Sequence, residues 1–281
     1  MKLGRFRTND GIHLCKLTEA GIVDLTEAGH GNSMRAFLTR LPEIRDEIEA
    51  LDGPVLPLDP GLLEAPVGDP QKMLALGMNY RAHAEAAAAK GVKAPDSQLW
   101  FNKQVSCVNG PFAPIEMPKV SDQLDYEAEL AVIIGKRCKE VRAEDFRDVV
   151  AGYAVGNDVS VRDWQMRSPT FTLGKSFDTH GPFGPWITTD DAVDDPQSLD
   201  IRTHVNGEVR QSSNTSDMIY RIGEQIAYIS QVFTLEPGDV LLTGTPSGVG
   251  LETGIYLKLG DVVRIEIEGL GHIENPVGPA T

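Results

Sequence analysis

The sequence is poor in cysteine. Cys15, Cys107 and Cys138 are the three it has, far apart and odd in number, which excludes a disulfide framework and the paired spacing of a zinc site. A reducing, cytoplasmic setting is the expectation. Long apolar runs are missing too. No stretch approaches the roughly 18 residues a membrane-spanning helix needs, and the opening MKLGRFRTND lacks the apolar core of a signal peptide. Positive charge is scarce: 26 Lys and Arg stand against 41 Asp and Glu, a net charge of −15. That balance argues against a nucleic-acid or anionic-membrane partner. Internal repeats are absent, and the alanine run Ala86 to Ala89 is the nearest thing to low complexity.

What is present is ordinary globular material. Hydrophobic residues make up 41% and charged residues 24% of 281 residues, enough for one large domain, or a small one joined to a larger, with a core that needs no disulfide. Five prolines fall between Leu51 and Pro70. Proline fixes φ and removes a backbone donor, so this stretch is expected to be an extended connector. It divides the chain into a small N-terminal domain, 1–66, and a larger one, 71–281. The first part has short strands over 3–24, broken at Asn9-Asp10-Gly11 and Glu19-Ala20-Gly21, then two short helices near 33–40 and 43–50. The second part is dominated by strands. Val205-Asn206-Gly207-Glu208 signals a hairpin with a type I′ turn. Val263, Ile265 and Ile267 share one strand face. Met218, Ile219, Ile222, Ile226, Ile229 and Phe233 recur at helical spacing, with Ser216 as a candidate N-cap. Strands and helices do not alternate regularly, so a β-rich α+β fold is expected in place of a doubly wound parallel sheet.

Three carboxylates stand out. In Tyr126-Glu127-Ala128-Glu129-Leu130, residues two apart share a strand face, so Glu127 and Glu129 point the same way. Spacing alone favours a solvent-facing acidic pair, as at Glu266 and Glu268. Parity shifts the balance. The glutamate face continues into Ala131 and Ile133, the other into Leu130, Val132 and Ile134, so the strand is apolar on both sides and the glutamates sit at the rim of a core. Buried like charges are costly unless a cation or proton intervenes. Asp158 shares a face with Gly152, Ala154, Gly156 and Ser160, small residues that leave space, although Asn-Asp also marks turns. Three carboxylates without sulfur or imidazole suit a hard divalent ion, Mg²⁺ or Mn²⁺.

These residues lie within a set of motifs: Gly77-Met78-Asn79-Tyr80-Arg81-Ala82-His83, Tyr126-Glu127-Ala128-Glu129-Leu130, Gly152-Tyr153 through Asn157-Asp158, Arg162-Asp163-Trp164-Gln165, Gly174-Lys175-Ser176-Phe177-Asp178, Val205-Asn206-Gly207-Glu208, and Thr243-Gly244-Thr245-Pro246-Ser247-Gly248-Val249-Gly250. Together, in this order, they resemble the fumarylacetoacetate hydrolase superfamily over roughly residues 72–277. Within it, the likeness is to the branch of bacterial acylpyruvate hydrolases and 2-hydroxyhepta-2,4-diene-1,7-dioate isomerases. The resemblance implies a mixed β-sandwich roll with flanking helices, usually a homodimer, acting on a small 2-oxo acid. It implies Glu127, Glu129 and Asp158 as metal ligands, Lys175 as a catalytic lysine, His83 as the base, and Arg81, Lys103, Gln165 and Thr245 at the substrate.

The chain departs from this pattern at one place. The family pairs its histidine with a glutamate three residues later, and here that position is Ala86. Glu85 is the nearby acid and the candidate partner, but residues two apart in a helix do not face each other. Either another acid orients His83, or the segment is not helical, or water activation is impaired. The first expectation is Mg²⁺-dependent hydrolysis of an acylpyruvate to release pyruvate. An oxaloacetate-type decarboxylase and a hydroxymuconate-type isomerase need no attacking water and are the alternatives. A metal-stabilised binding protein is the non-enzyme alternative. The small, polar segment Ala82 to Pro95 is expected to act as a lid.

Overall fold

The computed structural model describes residues 1–89, 91 and 96–280. Residues 90 and 92–95 of the expected lid lie outside the described residues. The chain opens with an antiparallel meander, β1 (Lys2–Thr8), β2 (Gly11–Thr18) and β3 (Gly21–Asp24). One helix follows, α1 (Met34–Ala50), where the sequence pattern predicts two. Pro42 lies inside it at a cost of about 3 kcal/mol for a helix interior. Phe37, Leu38, Leu41 and Ile48 are all buried, so packing on both sides of the proline carries the helix through. The connector runs past β3 and β1, lending β4 (Val55–Leu56) to the first and β5 (Leu63–Glu64) to the second.

Next come β6 (Met73–Gly77), α2 (Arg81–Ala89), β7 (Leu99–Lys103), β8 (Val108–Asn109) and β9 (Ile115–Met117). The strands β10 (Leu124–Asp125), β11 (Ala128–Ile134), β12 (Val150–Asn157) and β13 (Ser160–Val161) are followed by the short α3 (Arg162–Gln165) and by β14 (Gly181–Thr189). The hairpin of β15 (Asp200–Val205) and β16 (Glu208–Asn214) turns on Asn206 and Gly207, at φ 53° and 81°, the positive φ pair of a type I′ turn. Then α4 (Ile222–Ser230), β17 (Val240–Leu242), α5 (Gly250–Thr253), β18 (Val262–Ile267) and β19 (Gly271–Pro279) complete the chain. The predicted helix from Met218 is therefore shorter than its spacing suggests. Ser216 lies in a 3₁₀ turn, Thr215–Asp217, capped by Asn214, and Met218 bridges to Tyr80. The helix begins after Arg221, whose N–H donates to Glu224 Oε2 at 2.7 Å. Apolar spacing is satisfied here by a turn and a bridge as well as by helix.

The fold is α+β and rich in strand. One 12-stranded sheet runs β4-β3-β2-β1-β14-β12-β11-β17-β6-β7, with β5 on β1 and β8 on β14. A five-stranded sheet, β16-β15-β18-β19-β9, stands apart from it. Every residue of β11 is buried. Leu130, Val132 and Ile134 join a core with Ile201, Ile265 and Ile273 of the smaller sheet and Ile226 of α4. Ala131 and Ile133 join a second core with Phe37, Leu38 and Leu41 of α1. The large sheet is thus covered on both faces. No helix among the described residues is long and apolar enough to cross a membrane.

Candidate active site

The site forms where β11 and β12 meet at their ends. Antiparallel register sets Ala128 opposite Asn157 and Glu129 opposite Gly156, which carries Asp158 alongside Glu127. Asp158 N donates to Glu127 O at 2.9 Å, and Glu127 N donates to Asn157 Oδ1 at 3.0 Å. β10 pairs with β13 just beyond, closing the backbone around the three acids. Gly156 leaves room here for Leu242, whose Cδ2 would stand 2.8 Å from a Cβ and would have to shift. Glu127, Glu129 and Asp158 are buried, and each offers an oxygen within 4.8 Å of the others.

Three cations surround them. Lys175 Nζ donates to Glu127 Oε2 and to Asp158 Oδ2, both at 2.7 Å. Gly174 beside it is obligatory, because a Cβ would lie 2.1 Å from Gln165 N. Arg162 Nη1 pairs with Glu127 Oε1 at 2.6 Å, and its Nε donates to Asp125 Oδ2 at 2.7 Å. Lys103 Nζ pairs with Asp158 Oδ1 at 2.7 Å and donates to Val159 O and Lys175 O. Burial pushes Glu127 up, but Lys175 and then Arg162 outweigh it and hold the acid at about 2. Glu129 goes the other way. Burial, then the charges of Asp158 and Glu127, raise it well above the usual carboxylate range. Among the described residues, Asp125, Glu127, Glu129 and Asp158 meet only Lys103, Arg162 and Lys175, so one negative charge is left over, and Glu129 feels it most. A carboxylate set with a residual negative charge is the donor chemistry of a hard divalent cation.

A cavity of about 320 Å³ opens over this cluster. Glu127, Glu129, Arg162, Gln165, Lys175 and Thr245 line its charged end, and the rest is mostly apolar, including Leu99, Phe101, Phe171 and Leu251. His83 and Glu252 lie on the same lining. His83 Nδ1 and Glu252 Oε1 are 2.5 Å apart, and Gly248 N donates to Glu252 Oε2 at 2.6 Å. Gln165 Oε1 accepts from Arg162 Nη1 at 2.9 Å, and Thr245 Oγ1 accepts from Gln211 Nε2 at 2.9 Å. Arg162 Nη2 is buried with no hydrogen-bond partner among the described residues. The loop carrying Thr245 is tied to the acids, because Gly244 N donates to Glu129 Oε2 at 2.6 Å.

Six of the ten expected site residues therefore line one cavity, and a seventh, Asp158, lies against them in the carboxylate cluster. The other three correct the sequence expectation. Glu85 is exposed on α2 and is not part of the lining. The acid on His83 is Glu252, because α2 stays helical and turns Glu85 away. Arg81 is also exposed, and its Nη1 reaches Ser216 O at 3.3 Å and Asp217 Oδ1 at 3.8 Å, outside the cavity. Lys103 is buried behind Asp158, where it supports the acid and does not reach the lining. Arg162 and Asp125 went unassigned although the first opens a motif quoted above and the second directly precedes one. Glu252 gave no signal at all, standing 169 residues from His83 in the chain.

Residues 72–278 match the family model of the fumarylacetoacetate hydrolase C-terminal region. The chain belongs to the fumarylacetoacetate hydrolase family and is an enzyme of that superfamily. A mitochondrial oxaloacetate tautomerase of Xenopus laevis is 47% identical over 219 residues, covering 76% of this chain and 68% of its own. Maleylpyruvate hydrolase from Sphingobium sp. SYK-6, solved with manganese(II) and pyruvate, superposes with a TM-score of 0.81 at 36% identity, covering 100% of both chains. A 5-carboxymethyl-2-hydroxymuconate delta-isomerase from Mycobacterium smegmatis superposes with a TM-score of 0.80 at 36% identity, again over 100% of both chains.

Proposed function

We propose that the protein enolises a small 2-oxo acid, with Glu127, Glu129 and Asp158 holding a divalent ion and His83 moving the proton. The observation that carries this reading is that Glu127 and Glu129 of the carboxylate cluster and the His83–Glu252 pair line a single cavity. Manganese in the structure of the Sphingobium hydrolase supports the choice of Mg²⁺ or Mn²⁺. When bound, such an ion supplies Lewis-acid polarisation of the keto oxygen.

The chain's own residues do the rest. Arg162 Nη2, which lacks a partner among the described residues, together with Gln165 and Thr245, grips the substrate carboxylate. Lys175 fixes Glu127 and Asp158 and sets positive charge where negative charge develops on the 2-oxygen. His83 takes a proton from C3 and, in the reverse direction, returns it. Keto–enol tautomerisation of a small 2-oxo acid such as oxaloacetate needs nothing beyond these parts. It is also the activity in the name of the Xenopus relative, so we place it first. Hydrolysis of an acylpyruvate is the second reading. The apolar wall of Leu99, Phe101, Phe171 and Leu251 favours it, because it suits an acyl tail, and His83 would then activate water.

One experiment separates these. The enol absorbance of oxaloacetate and pyruvate release from an acylpyruvate panel are followed with Mg²⁺ or Mn²⁺, with Glu127→Gln as the blank. Faster loss of enol without pyruvate supports the tautomerase. Pyruvate and a carboxylic acid from an acylpyruvate support the hydrolase. Pyruvate and CO₂ from oxaloacetate would make it a decarboxylase. No rate above the blank in any arm rejects enolisation.

A further inference from the structure

We propose that Gln211 is a positioning residue of the substrate grip: it commits the hydroxyl proton of Thr245 to the cavity, where that proton meets the carboxylate of the 2-oxo acid. This rests on the reading above that Thr245 holds that carboxylate. Gln211 lies on β16, opposite Thr203 of β15, and is fully buried. It is not part of the cavity lining. Its amide makes four hydrogen bonds. Oε1 accepts from Ala128 N at 3.1 Å and from Thr203 Oγ1 at 2.7 Å. Nε2 donates to Pro246 O at 2.7 Å and to Thr245 Oγ1 at 2.9 Å.

Two of these partners fix the amide's orientation. A backbone N–H only donates and a carbonyl only accepts, so Ala128 selects Oε1 and Pro246 selects Nε2. A flipped amide would set donor against donor and acceptor against acceptor. Thr245 Oγ1 is therefore an acceptor from Gln211, and its own proton must point elsewhere. Among the described residues that hydroxyl donates to no group, and Thr245 lines the cavity. The cavity thus receives a donor at this point, which suits an acceptor-only group such as a carboxylate. The same amide spans the site. Ala128 stands between Glu127 and Glu129, so Gln211 holds the Thr245 loop at a set distance from the strand that carries the acids. The loop is also seated closely on β16: at Gly248, with φ 105°, a Cβ would lie 2.1 Å from Arg210 O. One buried side chain of the smaller sheet therefore sets both where the Thr245 hydroxyl stands and which way its proton points.

Neutron diffraction from the wild-type protein with Mn²⁺ and pyruvate bound should show the Thr245 deuteron directed at the pyruvate carboxylate. A carboxylate beside Thr245 with the deuteron turned to Gln211 or Pro246 O overturns the inference alone. A carboxylate bound away from Thr245 overturns the grip reading and the inference with it. In solution, pyruvate binding to the full-length, Mn²⁺-loaded protein is read by calorimetry. Thr245→Val is expected to weaken it by about 10- to 100-fold, the loss of a hydrogen bond to a charged group, and Thr245→Ser, which keeps the hydroxyl, to bind close to wild type. Gln211→Glu keeps the acceptor for Ala128 N and Thr203 Oγ1 but sets a second acceptor against Thr245, drawing its proton back. Its loss should match that of Thr245→Val, and adding it to Thr245→Val should cost less than about 2-fold more. In oxaloacetate tautomerisation the loss should fall on KM with kcat little changed, as for an interaction made equally in ground and transition states. A Gln211→Glu protein that binds pyruvate as the wild type does, or whose loss persists undiminished beside Thr245→Val, overturns the positioning role. The neutron measurement needs no variant and decides the case if Gln211→Glu fails to fold.

Discussion

The carboxylate of Asp125 is fully buried and accepts four hydrogen bonds, from the N–H groups of Tyr126, Gly250 and Leu251 and from Nε of Arg162. It does not line the cavity. Removing one partner of a buried ion pair leaves an uncompensated charge, at about 3–5 kcal/mol. Asp125→Ala should therefore lower stability by about that much in urea unfolding, and Asp125→Asn by less, since the amide keeps one acceptor. His180 offers a pH-dependent counterpart. Burial pushes it down to about 4; its Nε2 meets Glu116 O at 2.9 Å, and Nδ1 is buried without a partner among the described residues. A histidine with a lowered folded pKa binds its proton more readily when unfolded. Its contribution is thus present above the unfolded value of about 6.5 and is lost as pH falls toward about 4, amounting to about 3 kcal/mol in all. His180→Gln should flatten the acid limb of stability against pH between those values, and an unchanged limb would mean that other groups dominate it. At this scale the sequence was legible where parity could be read. Glu127, Glu129 and Asp158 follow from alternation along two strands. Glu252 does not, because no local pattern marks a contact made across 169 residues.

Among the elements, α1 depends on a residue outside it. Lys16 on β2 is buried, and its Nζ donates to the carbonyls of Ile48, Glu49 and Leu51 at 2.9, 3.1 and 2.8 Å. Those are carbonyls that a helix end leaves unsatisfied. Lys16→Met keeps the aliphatic stem and removes the donors. It should cost about 1–3 kcal/mol, read as a lower denaturant midpoint with little change in activity. Element types were easier to foresee than their limits. The Asn206-Gly207 hairpin was legible because two positive φ angles are demanded at one place and Asn-Gly supplies both. The extents of α1 and α4 were not. In the first, tertiary packing overrides a proline. In the second, Met218 satisfies helical spacing while serving a bridge to Tyr80.

Over the whole molecule, the proline-rich stretch divides the sequence but not the sheet. β1 pairs with β14 through Lys2–Thr188 and Leu3–Ile187, and α1 covers the face formed by Ala131, Ile133 and Val240. We propose that residues 1–66 are a unit of chain organisation that does not stand alone. A chain beginning at residue 67 would expose one edge of β14 and the apolar face beneath α1, and should aggregate or melt without cooperativity. A soluble truncated protein with a sharp melt would reject that view. The β-rich class was visible from strand patterning, whereas the joining of both parts in one sheet was not, since long-range pairing leaves no mark on local sequence.

The cavity has two kinds of wall. Its charged end is anchored by Glu127 and Glu129 at the start of β11 in the 12-stranded sheet, while much of its apolar end comes from α2, the segment after α3, and α5. These short pieces carry Ala86, Ala87, Met166, Phe171 and Leu251, and substitution of those side chains leaves the ladder of the sheet untouched. Diversification at these five positions, by natural drift or in a laboratory library, can therefore reshape which molecules fit while His83, Glu252 and the carboxylate cluster stay unchanged.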